Sequence, residues 1–177
     1  TSSESEFHTQ DGTGRAWRVW HWDATQRDGA AGIAIAIPAS RLGQFRTTSG
    51  CFSAGRGAWI RLKNRTVDLT VVGLYIPPDR GGGGAQRSMH VLAQFESWLA
   101  RVPSRTSLVV GADLNCRVGV ARRSDGEPVA SHGPRPPVGP REPELECPQG
   151  RAVRRVCGAW GLVLANTYFD TGGWTYH

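Results

Sequence analysis

Two apolar segments separated by an amphipathic segment constrain the fold of this chain more than any other feature. The segments LTVVGLYIPP at 69–78 and SLVVGADLN at 107–115 are nearly continuous apolar runs, which are typical of strands covered on both faces. Between them, the apolar period over 86–101 predicts a helix. Its apolar stripe consists of Met89, Leu92, Phe95 and Leu99. This order predicts a β-α-β unit.

Shorter strand-like segments precede this unit. The segments Trp17–Asp23, Gly32–Ile37 and Trp59–Leu62 are rich in aromatic and β-branched residues and are separated by clusters of turn-forming residues. In GIAIAIP, isoleucine alternates with alanine, so the isoleucines should face one side of a strand that Pro38 ends. Residues 1–16 are polar and unpatterned and predict a loop.

The segments after the β-α-β unit predict a further helix and a last strand. A helix is expected over 150–160, because Val153, Val156, Cys157 and Trp160 follow a helical period and Gly161 supplies a stop. LVLANTYF at 162–169 then predicts a strand. Hairpins followed by β-α-β-α-β predict an α/β domain whose sheet is covered by helices.

Between the second apolar run and the second helix lies a proline-rich insertion. Residues 117–148 hold seven of the eleven prolines and show no apolar period. Few large apolar groups are present to offset the entropy of ordering. We therefore expect one partial domain over 1–177, with a disordered insertion at about 120–147.

Arginine dominates the charge. The net charge is +6, with 21 basic against 15 acidic residues, and every basic residue except Lys63 is arginine. The planar guanidinium fork suits phosphate, so the charge fits a phosphate-bearing partner. A GC-rich coding sequence, which favours arginine codons, explains the same bias without any partner.

Cysteine usage and hydropathy exclude several classes of protein. The four cysteines have neither zinc-site spacing nor a disulfide framework, which favours reduced thiols in an intracellular compartment, the nucleus included. No apolar run approaches the ~20 residues of a membrane span, so no membrane partner is expected. The chain begins at Thr1 without Met or a signal-peptide pattern, and we expect a fragment of a longer protein.

The strongest candidate site is Asp113 with Asn115, at the C-terminal end of the second apolar run. Open α/β sheets bind ligands just beyond their strand ends. A carboxylate beside an amide can orient a water, accept its proton or help to hold a hard cation. The alternative is a plain turn, because Asp and Asn favour turns after strands.

Tyr75 ends the first apolar run in a similar place, and its hydroxyl could donate to a phosphate oxygen; the alternative is a partly buried strand tyrosine. Asn166 and Thr167 lie in the last predicted strand, and Trp174 with Thr175 follow eight residues later. Taken alone, these last four residues are most often packing or turn residues.

Five motifs in order resemble the endonuclease/exonuclease/phosphatase superfamily. They are LTVVGLYIPP, the helix after it, SLVVGADLNCRVG, GRAVRRVCGAWGLVLANTYF and GGWTYH. The chain is most similar to the apurinic/apyrimidinic-type endonuclease domains of non-LTR retrotransposons. The resemblance implies a two-sheet α/β sandwich with outer helices, here truncated at both ends.

The resemblance also implies roles for particular residues. Asp113 and Asn115 match the family residues that activate water and support a divalent cation, usually Mg²⁺ (or Mn²⁺). Tyr75 matches the tyrosine that contacts the scissile phosphate. The matches to the family's substrate-binding runs on the DNA side are Asn166, Thr167, Trp174 and Thr175. Gln149 stands where the family usually has asparagine, which weakens any role for it.

The family's upstream Asn and Gln-Glu motifs and its downstream Asp-Tyr and Ser-Asp-His motifs are not in this sequence. The resemblance therefore implies a metal-dependent DNA endonuclease in the parent protein, with residues 1–177 binding DNA but inactive alone. A phosphatase or RNA deadenylase of the same superfamily and a catalytically dead nucleic-acid-binding remnant stay as alternatives. A reverse transcriptase domain in the same parent chain is also implied.

Overall fold

A computed structural model of the chain describes residues 4–23, 32–79, 83–119, 136–139 and 146–169. The strands are β1 Glu4–Gln10, β2 Ala16–Asp23, β3 Gly32–Pro38, β4 Arg46–Ser53, β5 Gly57–Lys63, β6 Asp68–Tyr75 and β7 Ser107–Asp113. The helices are α1 Gly84–Leu99 and α2 Pro148–Ala159, with short 3-10 turns at Ala39–Arg41 and Ala165–Thr167. Within these described ranges, no helix is long and apolar enough to cross a membrane.

The chain divides into two compact units. The first comprises residues up to 77 and residues 90–115, and it contains all seven strands. The second comprises residues 78–89 and those from 116 onward, and it contains α2.

Two sheets form the first unit. One has the order β1-β2-β3 and the other β4-β5-β6-β7, with every pair antiparallel except β6 and β7, which are parallel. Strand β3 lies against β5 and β6 of the other sheet. Buried side chains of both sheets, with Leu42 from the segment between β3 and β4, form one apolar cluster, which consists of Trp20, Trp22, Ile33, Ile35, Leu42, Ala58, Ile60 and Leu62. The predicted two-sheet α/β sandwich is confirmed.

The two sheets lie close together at Gly73 of β6. A Cβ placed on Gly73 would lie 2.6 Å from Cγ2 of Ile33, which is closer than real contacts allow. Glycine here leaves room for the isoleucine side chains of β3, two of which, Ile33 and Ile35, are buried as their alternation predicted.

Helix α1 packs on the face of the larger sheet that points away from the smaller sheet. Phe95 and Trp98 pack on Phe52 of β4, with ring centroids 5.6 and 5.2 Å from it. The predicted helix is confirmed, but Met89 was wrongly placed in its buried stripe, because 43% of this residue is exposed. The buried face also includes Val91 and Trp98.

The edge strands were the main errors of the sequence-based assignment. Residues 4–10 form β1 rather than a loop, and every residue of β1 is exposed. Their pairing with β2 uses backbone hydrogen bonds and an Arg18–Glu6 ion pair of 2.6 Å. Neither interaction requires apolar residues, so the sequence of β1 shows no apolar pattern. The Thr- and Ser-rich β4 was missed for a similar reason.

The apolar run of β7 predicted a strand covered on both faces, and this prediction is wrong. Within the described residues it pairs with β6 alone, at the edge of the larger sheet. Val109 is 55% exposed and Asp113 is also exposed. An apolar run of this length therefore does not by itself distinguish a central strand from an edge strand.

In the second unit, the predicted strand at 162–169 is wrong. Leu164 makes a single parallel bridge with Val138, and the chain then turns through the 3-10 turn at Ala165–Thr167. The Thr167 hydroxyl donates to the Leu164 carbonyl oxygen at 2.6 Å, which closes this turn instead of extending a strand. Residues 120–135 and 140–145 of the predicted insertion lie outside the described residues, and its disorder stays a prediction.

Helix α2 occurs close to the predicted span. Val153, Val156 and Cys157 are buried as expected, and Gly161 follows the helix with a φ of +65°. Burial raises the pKa of the Cys157 thiol to about 11, so this thiol stays protonated at neutral pH. Trp160, predicted to extend the buried face, is 39% exposed.

An ion-pair network joins β5, β6 and the segment before β7. Arg61 donates two hydrogen bonds of 2.6 Å to the Asp68 carboxylate, and the Thr106 hydroxyl donates a third. These hydrogen bonds, with that from Arg61 as the largest cause, hold the pKa of Asp68 well below its usual range. The folded state therefore favours ionised Asp68.

We expect Asp68→Asn to lower the free energy of unfolding at pH 7 and to flatten its dependence on acid. Because the folded pKa is depressed, this stabilisation is present above the unfolded value of about 3.9 and is lost as pH falls below it. Urea unfolding between pH 3 and 7 measures the effect. Asp23→Asn, at a side chain 55% exposed, is the matched control. Equal pH profiles for Asp68→Asn and the wild type would contradict the expectation.

Candidate active site

The candidate site lies where the two parallel strands of the larger sheet end. Tyr75, the last residue of β6, is the register partner of Asp113, the last residue of β7. The backbone continues this pairing for one more step, because the N–H of Ile76 donates to the carbonyl oxygen of Asp113 at 2.9 Å. Two residues predicted for the site are therefore adjacent where the strands of the larger sheet end, because the carboxyl ends of parallel neighbours lie side by side.

Tyr75 and Asp113 differ in their surroundings. The half-buried Tyr75 packs against the apolar cluster between the sheets. Asp113 is exposed, and one of its carboxylate oxygens accepts a hydrogen bond of 3.2 Å from the backbone N–H of Asn115. This is the turn that the alternative interpretation of the sequence anticipated, and it holds the carboxylate in a defined orientation at the strand end.

Asn115 is fixed by a second bond across the two strand ends. Its side-chain Nδ2 donates to the carbonyl oxygen of Ile76 at 3.0 Å. The backbone of Asn115 has a φ of +45°, the left-handed region in which asparagine is tolerated better than most residues. This bond uses one of the two N–H donors of the amide, and the amide oxygen can act as an acceptor toward a ligand.

The donor set at this edge suits a largely hydrated cation. Among the described residues, no three His, Cys, Asp or Glu side chains cluster closely enough to hold a metal. Asp113 and Asn115 offer one carboxylate and one amide oxygen, which are hard ligands. Mg²⁺ commonly binds through one or two carboxylates, substrate phosphates and several waters. The residues present therefore fit Mg²⁺ (or Mn²⁺) as a partial ligand set.

The remaining predicted site residues lie elsewhere in the chain. Asn166 and Thr167 are in a 3-10 turn of the second unit, not at a strand end. The Thr167 hydroxyl also accepts a hydrogen bond of 2.7 Å from the Gly139 N–H, so it serves local structure. Trp174 and Thr175 lie outside the described residues. A role for these four residues in substrate binding stays a prediction.

Sequence reasoning missed Arg56, which lies beside the site. Its guanidinium carbon is 4.9 Å from the centroid of the Tyr75 ring. The available signal was the Gly-Arg-Gly run between two strand-like segments, which places a cation at a hairpin turn. Only the fold shows that this hairpin reaches the end of β6.

No protein-family model matches the chain, and no curated protein matches it significantly. Among solved structures, it is similar to the endonuclease domain of TRAS1, a telomere-specific non-LTR retrotransposon, at 16% identity and a TM-score of 0.49. The match covers 81% of this chain and 52% of that one, so the chain spans about half the length of that domain.

Proposed function

We propose that this chain carries part of the active site of a divalent-metal-dependent phosphodiester hydrolase that cleaves DNA. The observation that carries the proposal is the pairing of Tyr75 with Asp113 at adjacent parallel strand ends, with Asn115 bonded across them. A phenol, a carboxylate and an amide thus share one sheet edge. The ordered motifs that resemble retrotransposon-type endonucleases supply the substrate class.

Each of the three residues has a distinct chemical part in this proposal. The exposed Asp113 carboxylate accepts the proton of the attacking water, and its orientation is held by the Asn115 N–H. The Tyr75 hydroxyl donates to a non-bridging phosphate oxygen. The Asn115 amide oxygen helps to orient the water. Asp113 and Asn115 would hold the cation, which supplies charge neutralisation at the phosphate when bound.

The charge of the chain supports a nucleic-acid partner. A net charge of +6 attracts the DNA phosphate backbone independently of sequence and makes binding weaken as salt increases. A reverse transcriptase domain in the same parent chain belongs to the proposal through the resemblance alone. One observation favours a DNA-binding remnant without activity: among the described residues, the metal ligand set is only partial.

The test uses the longest natural chain that contains these residues, with supercoiled plasmid, single-stranded RNA and an inositol phosphate as substrates in Mg²⁺. We expect nicking of the plasmid, abolished by EDTA and restored by Mg²⁺ or Mn²⁺. Shortening of RNA alone, or release of phosphate alone, would instead assign a deadenylase or a phosphatase. Plasmid binding without turnover of any substrate would identify the non-catalytic remnant.

A further inference from the structure

The hairpin between β4 and β5 is held in one conformation by its own residues. The Arg56 N–H donates to the Ser53 carbonyl oxygen at 3.0 Å, and Gly55 between them has a φ of +60°, which glycine adopts without strain. The next residue, Gly57, lies under the Phe52 ring, where an added Cβ would be 2.0 Å from the ring. The position of Arg56 is therefore defined by the backbone around it.

This hairpin is bonded directly to the candidate active site. The Tyr75 N–H donates to the Arg56 carbonyl oxygen at 2.8 Å, which continues the β5–β6 pairing to the strand end. The Arg56 side chain then turns over the face of the Tyr75 ring, well within the roughly 6 Å at which a cation and a ring attract each other. A guanidinium thus lies beside the phenol proposed to contact phosphate.

In its charge partners, Arg56 differs from three other arginines of the described chain. Arg18, Arg61 and Arg154 each contact a carboxylate at 2.6 to 2.7 Å. In the described part of the chain, Arg56 has no such ion pair, although its side chain is half-buried. Stacking uses the face of a guanidinium and leaves the N–H donors at its edge available.

We propose that Arg56 is a phosphate-binding residue of this site, which holds a backbone phosphate of the nucleic-acid substrate next to the one at Tyr75. A guanidinium donates two parallel hydrogen bonds to phosphate oxygens, which fixes both distance and orientation. Stacking on Tyr75 orients the fork before substrate arrives. The inference rests on the proposed function and adds a residue that positions the DNA backbone.

The test measures binding of a fluorescein-labelled duplex to this 177-residue chain from 25 to 200 mM salt. Arg56→Gln removes the charge, Arg56→Met also keeps an apolar stem over the Tyr75 ring, and Arg56→Lys restores a cation. Arg18→Gln is the matched control, because Arg18 also stacks on an aromatic ring at 4.9 Å but is paired with Glu6. Melting temperatures are measured for all four variants.

We expect Arg56→Gln and Arg56→Met to weaken binding about five- to tenfold and to reduce the salt slope by about one, with Arg56→Lys close to the wild type. Arg18→Gln should change the slope by less than half as much. The inference would be overturned by unchanged affinity and salt slope in both neutral variants, or by a wild type that does not bind the duplex. It would also be overturned if all Arg56 variants lost the same melting temperature without a specific change in salt slope.

The outcome is separable from that of the proposed function. In the longest natural chain, Arg56→Gln should raise KM for plasmid about tenfold while kcat changes less than about threefold. The reason is that Arg56 would bind the phosphate equally well in the ground state and in the transition state. Duplex binding through Arg56 without cleavage would contradict the proposed hydrolase and leave Arg56 as a phosphate ligand. Cleavage with an unaltered KM would contradict the role of Arg56 alone.

Discussion

Replacing Asp113 by asparagine should reduce plasmid nicking by the longest natural chain at least about 10³-fold. The substitution removes a proton acceptor, which commonly accounts for about 10² to 10⁴ in rate, and also removes the carboxylate that Asp113 would offer to the cation. Asparagine keeps the shape of the side chain and an oxygen that can accept the Asn115 N–H. The loss should therefore fall on kcat and not on folding.

The control for this substitution is Asp23→Asn, at the end of β2 in the other sheet, where an exposed carboxylate also terminates a strand. It should leave nicking within twofold of the wild type. The free energy of unfolding of both variants should stay within about 0.5 kcal/mol of the wild type, as for other exposed substitutions. Nicking by Asp113→Asn at the wild-type rate would show that other residues hold the cation and activate the water.

The part of the fold predicted from sequence is the part in which side-chain burial follows backbone geometry. In α1, buried positions recur with the period of a helix, and in β6 a nearly continuous apolar run has no exposed residue, so the apolar pattern reveals both elements. Tyr75 and Asp113 could be placed together for the same reason. Once two strands are parallel neighbours joined by a helix, their carboxyl ends meet at one sheet edge.

The elements that were missed are held by backbone pairing and polar contacts. Strand β1 exposes every residue and depends on hydrogen bonds to β2, so its sequence resembles that of a loop. The run LVLANTYF gave the opposite error, because its sequence resembles a strand but forms a turn. Leu164 makes a single bridge with Val138, and the hydroxyl of Thr167 then closes the turn. Apolar residues packed at a turn and in a strand leave the same pattern.

Arg56 could not be assigned from sequence because its role depends on two successive pairings. The β4–β5 hairpin must form, and β6 must then align with β5 far enough for the Tyr75 N–H to reach the Arg56 carbonyl. Local sequence shows a turn with a cation. The ring beside that cation lies nineteen positions later in the chain.

The second large effect is expected in the core between the sheets. Ile60 of β5 is fully buried in the cluster that both sheets share. Ile60→Ala removes several buried methyl and methylene groups and leaves a cavity that the rest of the cluster fills only in part. We expect it to lower the free energy of unfolding by about 2–5 kcal/mol, a decrease in melting temperature on the order of 10 °C.

Val109→Ala on β7 is the matched control, because it also truncates a β-branched side chain of the larger sheet but at a position 55% exposed. It should cost less than about 1 kcal/mol in urea or thermal unfolding. The contrast tests the sandwich itself. Ile60 is inaccessible because β3 and its neighbours cover that face of β5, whereas β7 extends beyond that cover. Equal costs at the two positions would mean that the two sheets do not share a packed core in solution, and the sheet edge that holds Tyr75 and Asp113 would then lack the support that orients it.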